Sequence, residues 1–250
     1  MGIPLWRARD AGDEAAPAAP EPGTAMEEPA VAPVTSSAPA SAPDEPRAPE
    51  PPAAGAAEGD IAGMDLDTLE ATIRACTACG LCESRTQAVP GVGHRGADLL
   101  VIGEAPGQEE DRLGEPFVGR AGQLLDRMLA AIGLDRETVY ITNVLKCRPP
   151  NNRDPKPEEV RACSPYLRRQ IELLRPRAIL AVGRISAQQL LETGETVGRL
   201  RGRWHRFGPR DTPLLVTYHP AYLLRSPGQK RKSWADLKRV RAELNRPQGS

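Results

Sequence analysis

Two hydrophobic periods alternate along residues 65–244. Four short runs of consecutive apolar residues, typical of strands buried on both faces of a parallel sheet, occupy residues 98–103, 139–142, 178–183 and 213–218. The segments between them carry apolar residues at helical spacing, most clearly over residues 120–132, where Gly133 ends the pattern. Further helices are predicted over residues 65–74, 157–174, up to 191 and from about 230 to 244. Asp65 or Asp67 is expected to cap the first of them, and Pro157 to open the second.

Strands that alternate with helices predict an α/β fold. We expect a three-layer α/β/α sandwich over residues 64–246, with a four-stranded, mainly parallel sheet. Ligands of such sheets bind beyond the carboxyl ends of the strands. Gly103 and Glu104 follow the first predicted strand, Asn143 follows the second and His219 follows the fourth. The pattern therefore brings these residues to one cleft.

The N-terminal segment has a different composition. Residues 1–60 contain 12 Pro and 17 Ala but a single aromatic residue, Trp6, and such a segment cannot bury enough apolar surface to fold. We expect a disordered tail over residues 1–63. It is acidic, which is unlike a transit peptide, and no stretch has the length of a signal core or a membrane span. A cytoplasmic protein with no membrane contact is expected.

The formal net charge of zero hides an asymmetry. Residues 1–60 hold 11 acidic and 3 basic side chains, or −8, so the rest of the chain carries +8. A basic folded part suits a polyanionic partner, although charge spread evenly over a solvated surface gives the same sum.

Five cysteines in a reducing compartment predict thiols or metal ligands rather than disulfides. Cys76 and Cys79 form a CxxC pair, and 15 residues separate Cys147 from Cys163. Cys82 offers Cys79 a second partner at the same spacing. Four such thiolates can hold zinc or an iron–sulfur cluster, while buried free thiols are the plain alternative.

Three loop motifs supply a carboxylate, an aromatic ring, an amide and an imidazole. They are residues 103–119, beginning Gly-Glu-Ala-Pro-Gly, residues 142–150, Thr-Asn-Val-Leu-Lys-Cys-Arg-Pro-Pro, and residues 219–225, His-Pro-Ala-Tyr-Leu-Leu-Arg. These groups can hold a flat, polar heterocycle and ease its departure as an anion. In order and spacing the motifs resemble the family 4 uracil-DNA glycosylases, bacterial and archaeal repair enzymes that carry an iron–sulfur cluster. The resemblance covers roughly residues 70–245.

Three side chains are the candidates for binding the base. Phe117 lies in a Gly- and Pro-rich loop. Its ring is either a stacking platform for an extruded base or an anchor that packs the loop against the domain. The Asn143 amide offers the donor and acceptor that match uracil N3–H and O4, but an Asn at a strand end also forms Asx turns. His219 is either a structural hydrogen bonder or, as the resemblance implies, the donor to uracil O2 as the base leaves.

Carboxylates can stabilise the cationic sugar and position the attacking water. Glu104 is the first candidate for this role and Glu110 the second, and a carboxylate near pyrimidine C5 could also exclude the methyl group of thymine. Relatives in the wider superfamily place an Asp where this chain has Ala105. Backbone N–H groups from Gly103 to Gly107, including that of Ala105, could bind uracil oxygens or a phosphate; the loop matches neither a dinucleotide fingerprint nor a P-loop.

The resemblance also implies a metal centre and a DNA surface. It assigns a 4Fe–4S cluster to Cys76, Cys79, Cys147 and Cys163 and leaves Cys82 as a spare thiol. Basic side chains near the motif loops are expected to clamp phosphates, and Leu223 or Leu224 to wedge into the gap left by a flipped nucleotide. The basic candidates are Arg120, Arg148, Arg153 and Arg225.

The function predicted from these features is hydrolysis of the uracil–deoxyribose bond in DNA, leaving an abasic site. The expected substrate is single- or double-stranded DNA that contains uracil, bound by a monomer whose tail could recruit a repair or replication partner. The alternatives are a superfamily relative with shifted base specificity and a non-catalytic, metal-stapled DNA-binding module.

Overall fold

One six-stranded sheet forms the centre of the molecule, which is described here by a computed structural model covering residues 60–247. The strands lie in the order β1-β3-β2-β4-β6-β5. In chain order they are β1 (Val92–Gly93), β2 (Leu99–Gly103), β3 (Tyr140–Asn143), β4 (Ala178–Val182), β5 (Trp204–Phe207) and β6 (Thr212–Thr217). The four central strands are parallel, and β1 and β5 pair antiparallel at the two edges.

Nine α-helices accompany the sheet in this part of the chain. They are α1 (Leu66–Ala75), α2 (Leu81–Ser84), α3 (Gln108–Leu113), α4 (Arg120–Ala130), α5 (Pro157–Leu174), α6 (Arg184–Leu191), α7 (Val197–Leu200), α8 (Pro220–Arg225) and α9 (Lys230–Leu244). Asp65 caps α1, accepting the Thr68 N–H at 2.8 Å, and Pro157 opens α5, as the sequence predicts. No helix among residues 60–247 is both long and apolar enough to cross a bilayer.

Helices cover both faces of the sheet. Successive strand residues point to opposite faces, so Leu100 and Ile102 join the core beneath α1, α5 and α6, whereas Leu99 and Val101 join the core beneath α4 and α9. The predicted three-layer α/β/α architecture is confirmed.

The predicted strand count was too low because only the four central strands have continuous apolar runs. Strand β1 has two residues, and β5 is a half-exposed strand with polar residues at its centre, which joins β6 in a hairpin. Neither edge strand carries the hydrophobic signature of a buried strand.

The folded domain begins earlier than the predicted residue 64. Ile61 is only 4% exposed and packs in the core, and the carbonyl of Met64 accepts two hydrogen bonds from Arg169. The rest of the predicted tail, residues 1–59, lies outside the described residues.

The segments that follow β2 and β4 pack on opposite faces of the sheet. These two strands are neighbours, yet β2 leads to α4 on one face and β4 leads to α6 on the other. Such a point opens a crevice beyond the carboxyl ends of the strands. The fold therefore places its cleft between Gly103 and Gly183.

Candidate active site

Loops from the carboxyl ends of β2, β4 and β6 line one open cleft. Seven of the predicted site residues, together with Gly183 and Tyr218, contribute to its wall: Glu104, Ala105, Glu110, Phe117, Arg153, His219 and Arg225. Gly103 and Asn143 lie just beneath it, at paired positions on β2 and β3. The structure thus brings together the residues that the sequence placed at separate strand ends.

The Phe117 ring and the Asn143 amide meet over Gly103. A Cβ atom on Gly103 would lie 2.3 Å from Asn143 Oδ1 and 2.5 Å from Phe117 Cζ, closer than atoms pack. Glycine is therefore required here because a ring and an amide both approach its Cα. The Phe117 ring also lies near the His219 ring, with 5.7 Å between the ring centroids and 32° between the ring planes.

The Asn143 side chain carries an unpaired acceptor. The residue is 1% exposed, and its Oδ1 has no hydrogen-bond partner. Buried polar atoms are nearly always paired, so an unpaired acceptor beside an aromatic ring points to a ligand that donates a hydrogen bond.

His219 is held in one tautomer. Its Nδ1 accepts the N–H of Ala221 at 3.2 Å, capping α8. Burial, helped by the Arg225 cation, lowers the pKa of His219 to about 4, while Glu110 acts in the opposite direction. The imidazole is neutral near pH 7, and its proton resides on Nε2 because Nδ1 is an acceptor.

Glu104 lies directly after β2 and faces the cleft. Burial raises the pKa of its carboxyl group, as does the neighbouring Asp154 carboxylate, and the Arg184 cation partly opposes them. Arg184 donates to Asp154 Oδ2 at 2.5 Å, which joins the loop after β3 to the start of α6. The Glu104 carboxyl group therefore has a higher pKa than a solvated glutamate, as is common for groups at functional sites.

Glu110 uses both of its oxygens to tie two loops. Oε2 accepts the Gly107 N–H at 3.1 Å, and Oε1 accepts the Gly119 N–H at 2.9 Å. These bonds join the glycine-rich loop after β2 to the loop that carries Phe117.

The Phe117 backbone adopts a left-handed conformation, with φ of 55°. Arg136 donates to the carbonyls of Pro116 and Phe117 and pairs with Asp126 at 2.7 Å. A Cβ on Gly122 would lie 1.6 Å from the Phe117 carbonyl oxygen, so helix α4 begins tight against this turn. Sequence reasoning missed Arg136 and Gly122, although the run Gly-Arg-Ala-Gly after Phe117 was a signal for close packing.

A second aromatic pair in the cleft was also missed. The rings of Tyr218 and Tyr222 lie 5.1 Å apart on either side of the His219-Pro220 step, and Tyr222 is 36% exposed. Their position within the third motif was the available signal.

The predicted DNA-contacting side chains fall into two groups. Arg120 and Arg225 are exposed. In contrast, Arg153 forms a two-bond pair with the buried Glu159, at 2.9 and 2.5 Å, and Arg148 donates to Asn152 at 2.8 Å.

Leu223 cannot act as a wedge. It is 1% exposed and packs in the core under the sheet, whereas Leu224 is 38% exposed. The helical turn of α8 sends these two neighbours to opposite sides, which corrects the prediction that either could insert into DNA.

All five cysteines line one small pocket and are free thiols. Cys147 and Cys163 are buried, and the other three are half-buried. Arg85 Nη1 donates to Cys147 Sγ at 2.9 Å, and the Ala78 N–H points at Cys76 Sγ at 3.4 Å. Within residues 60–247, no three His, Cys, Asp or Glu side chains are arranged to hold a single metal ion.

Burial favours the protonated form of three thiols in this pocket. It raises the pKa of Cys163 to about 12, and it also raises the pKa values of Cys79 and Cys147. Metal binding requires thiolates, so a bound metal centre would supply the positive charge that stabilises them. The pocket offers several cysteine sulfurs, and N–H groups of Arg85 and Ala78 point at two of them. This set of ligands fits a metal group that is bound by several thiolates.

A buried lysine separates this pocket from the cleft. Lys146 is 1% exposed, and burial lowers its pKa to about 7, while the Cys163 and Cys147 thiols act in the opposite direction. Its sequence position beside Cys147 gave no sign of its burial.

Comparison with known proteins agrees with this arrangement. Residues 90–238 match the family model described as the uracil DNA glycosylase superfamily. A type-4 uracil-DNA glycosylase of Archaeoglobus fulgidus is 47% identical over 182 residues, covering 70% of this chain and 91% of that protein. One from Pyrobaculum aerophilum is 47% identical over 180 residues, covering 70% and 92%, and one from Saccharolobus solfataricus is 45% identical over 188 residues, covering 72% and 87%. The three motifs, the α/β/α fold and these matches together show that the chain belongs to the uracil DNA glycosylase superfamily, among the type-4 uracil-DNA glycosylases.

Proposed function

We propose that this protein hydrolyses the bond between uracil and deoxyribose in DNA, leaving an abasic site for repair. The single observation that carries the proposal furthest is the buried, unpaired Asn143 Oδ1 beside the Phe117 ring. Family membership supports the same reaction, since the matching relatives are named for it.

Base recognition rests on the Asn143 amide. Uracil presents an N3–H donor and an O4 acceptor, which pair with Oδ1 and with the amide N–H of this side chain. Cytosine presents the opposite pattern and would face Oδ1 with a lone pair, leaving the buried acceptor unpaired. Phe117 supplies a face for stacking, worth roughly 1–3 kcal/mol per base.

The leaving base is stabilised by His219. Cleavage of the glycosidic bond puts negative charge on uracil O2, and the Nε2–H of a neutral His219 donates to that oxygen. Ala105 also lines the cleft, so backbone N–H groups of the loop from Gly103 to Gly107 can add to this stabilisation.

Glu104 acts on the sugar. As the bond breaks, C1′ gains positive charge, and water must attack from the face opposite the departing uracil. We assign Glu104 to stabilising this cation and orienting the water, because its side chain faces the cleft and no other role occupies it. Glu110 is assigned a positioning role, since both of its oxygens already accept backbone N–H groups.

The DNA strand is held by exposed cations around the cleft. Arg120 and Arg225 contact phosphates, and Leu224 fills the gap left by the flipped nucleotide. Arg148 and Arg153 act from loop positions that Asn152 and Glu159 hold in place.

We further propose that the cysteine pocket holds a 4Fe–4S cluster through Cys76, Cys79, Cys147 and Cys163. Four cysteine thiolates are the usual ligands of such a cluster, and these four cysteines line one pocket. These four cysteines would hold the cluster, and it would then cross-link the segment before β1, the loop after β3 and helix α5. Cys82 lies at the same pocket and is left without a ligand role. We expect the enzyme to act in the cytoplasm, where a reducing environment keeps cysteines available as metal ligands. We also expect it to be a monomer.

The test is release of uracil from single- and double-stranded oligonucleotides, followed by alkaline cleavage of the abasic strand. Wild type is compared with Asn143→Ala and Glu104→Gln, with cytosine, thymine and hypoxanthine as control bases. Asn245→Ala is the matched control, because Asn245 is exposed and lies near the opposite end of the sheet. Release of uracil alone, lost in both site variants and kept in the control, supports the proposal. Binding without release of any base by brown, cluster-loaded protein would reject it.

A further inference from the structure

Lys146 is a buried cation without an anionic neighbour among the described residues. Its Nζ donates to three neutral oxygens, each at 2.7 Å: Thr142 Oγ1, the Asn143 carbonyl and Gln170 Oε1. None of the salt bridges within residues 60–247 involves it. A charge removed from water is strongly disfavoured unless it is paired, so this ammonium calls for a counter-charge.

The cysteine pocket borders Lys146. Lys146 contributes to the lining of that pocket together with Cys147 and Cys163. An iron–sulfur cluster bound by four thiolates carries a net negative charge. Arg85, the other basic residue that lines the pocket, donates a hydrogen bond to Cys147 Sγ. Lys146 is therefore the second positively charged side chain available to a negatively charged cluster.

The same ammonium fixes the residue that reads the base. Its bond to the Asn143 carbonyl closes the turn that follows β3, and the Val144 and Leu145 N–H groups of this turn donate to the carbonyls of Gly103 and Glu104, each at 3.0 Å. The turn thus links the cysteine pocket to both β2 and the carboxylate loop. A displaced Lys146 would move the Asn143 backbone.

We propose that Lys146 is a positioning residue that couples the cysteine-bound cluster to Asn143. One end of the coupling is the attraction between its ammonium and the thiolate-bound cluster, and the other is the three hydrogen bonds that hold the turn after β3. The proposal rests on the function and cluster proposed above, and it goes further by assigning the link between them to one side chain.

The experiment compares cluster-loaded wild type with Lys146→Met, which keeps the length of the side chain and removes its charge and hydrogen bonds. Lys156→Met is the matched control, because that lysine is 57% exposed and pairs only with Glu158, at 3.9 Å. Release of the cluster to a chelator is followed by its visible absorption. Losing an outer-shell partner typically costs about 10- to 100-fold in metal affinity, so we expect a comparable acceleration in Lys146→Met and none in Lys156→Met.

Two further readouts separate coupling from a general loss of stability. Removing the cluster should lower the melting temperature of wild type by more than that of Lys146→Met, because only wild type leaves a buried cation unpaired. Uracil release by Lys146→Met should show a lower kcat with little change in KM, since the DNA-contacting surface is intact. If Lys146→Met does not fold, Lys146→Arg is measured instead, because it keeps the positive charge. Retention of the cluster in Lys146→Arg supports the proposal, and its loss from a folded Lys146→Arg protein contradicts it.

Cluster release at the wild-type rate in Lys146→Met would overturn the proposal, as would the same acceleration in Lys156→Met. If wild type itself releases no uracil, the proposed function fails, while the chelator and melting measurements still decide whether Lys146 and the cluster are coupled.

Discussion

Gly103→Ala is the sharpest test of how the base pocket is built. The added methyl carbon would lie 2.3 Å from Asn143 Oδ1 and 2.5 Å from Phe117 Cζ, whereas non-bonded carbon contacts are about 3.5 Å or longer. The amide or the ring must therefore shift by about 1 Å. Displacement on that scale reduces rates by roughly 100-fold, and overpacking costs about 1–3 kcal/mol of stability.

The assay is single-turnover release of uracil from an oligonucleotide, paired with thermal unfolding and DNA binding. Gly194→Ala makes the same chemical change at a position where a new Cβ meets nothing within 4 Å, so it should leave the rate unchanged. We expect Gly103→Ala to lose about two orders of magnitude in rate while still binding DNA, whose contacts lie outside the pocket. Release at the wild-type rate by a folded Gly103→Ala protein would refute the view that the ring and the amide share this position.

Three further predictions follow from the site. Glu104→Gln should lower the rate of uracil release by about 100- to 10,000-fold, and the wild-type rate should fall on the acid side at a pH above the usual carboxyl pKa of 4.5, since burial raises the pKa of Glu104; an unchanged pH profile in the variant would contradict this. His219, with its pKa at about 4, should add no step to the pH profile between about pH 5 and pH 8, and a step near 6.5 that vanishes in His219→Asn would disprove the neutral imidazole. Because the unfolded chain takes up this proton first, the contribution of His219 to stability is present above pH 6.5 and declines toward pH 4, which the free energy of unfolding measured across that window checks. Leu223→Ala should cost about 2–5 kcal/mol of stability, whereas Leu224→Ala should leave stability unchanged and slow release from duplex DNA more than from single strands; equal effects of the two changes on unfolding would be the contrary result.

The central fold could be predicted because its signals are local. The central strands are buried along nearly their whole length and β2 and β4 are continuous apolar runs, while each long helix shows apolar residues at helical spacing. The layers and the shared edge therefore followed from short windows of sequence. Placement of Glu104, Asn143 and His219 at that edge followed from the parallel arrangement. The roles of these residues stay predictions until activity is measured.

What the sequence did not reveal depends on contacts between distant residues. Arg85 reaches Cys147 across 62 positions, and Arg136 reaches the Phe117 carbonyl across 19. A lysine beside a cysteine is usually exposed, so nothing local marked Lys146 as buried. Leu223 and Leu224 are adjacent in a six-residue helix, too short for periodicity to show which one faces the core.

The support beneath Phe117 bears on how sequence changes in this enzyme should be interpreted. Arg136 and Asp126 lie outside the three motifs, yet their pairing holds the left-handed turn that orients the ring. A substitution at either position would leave every motif intact and still move the Phe117 ring, which we propose as the stacking platform for the base, and would then give the kinetic signature of an active-site lesion. Surveys that judge relatives by motif alone would score such proteins as active, so the Arg136–Asp126 pair belongs among the positions inspected before a type-4 sequence is declared functional.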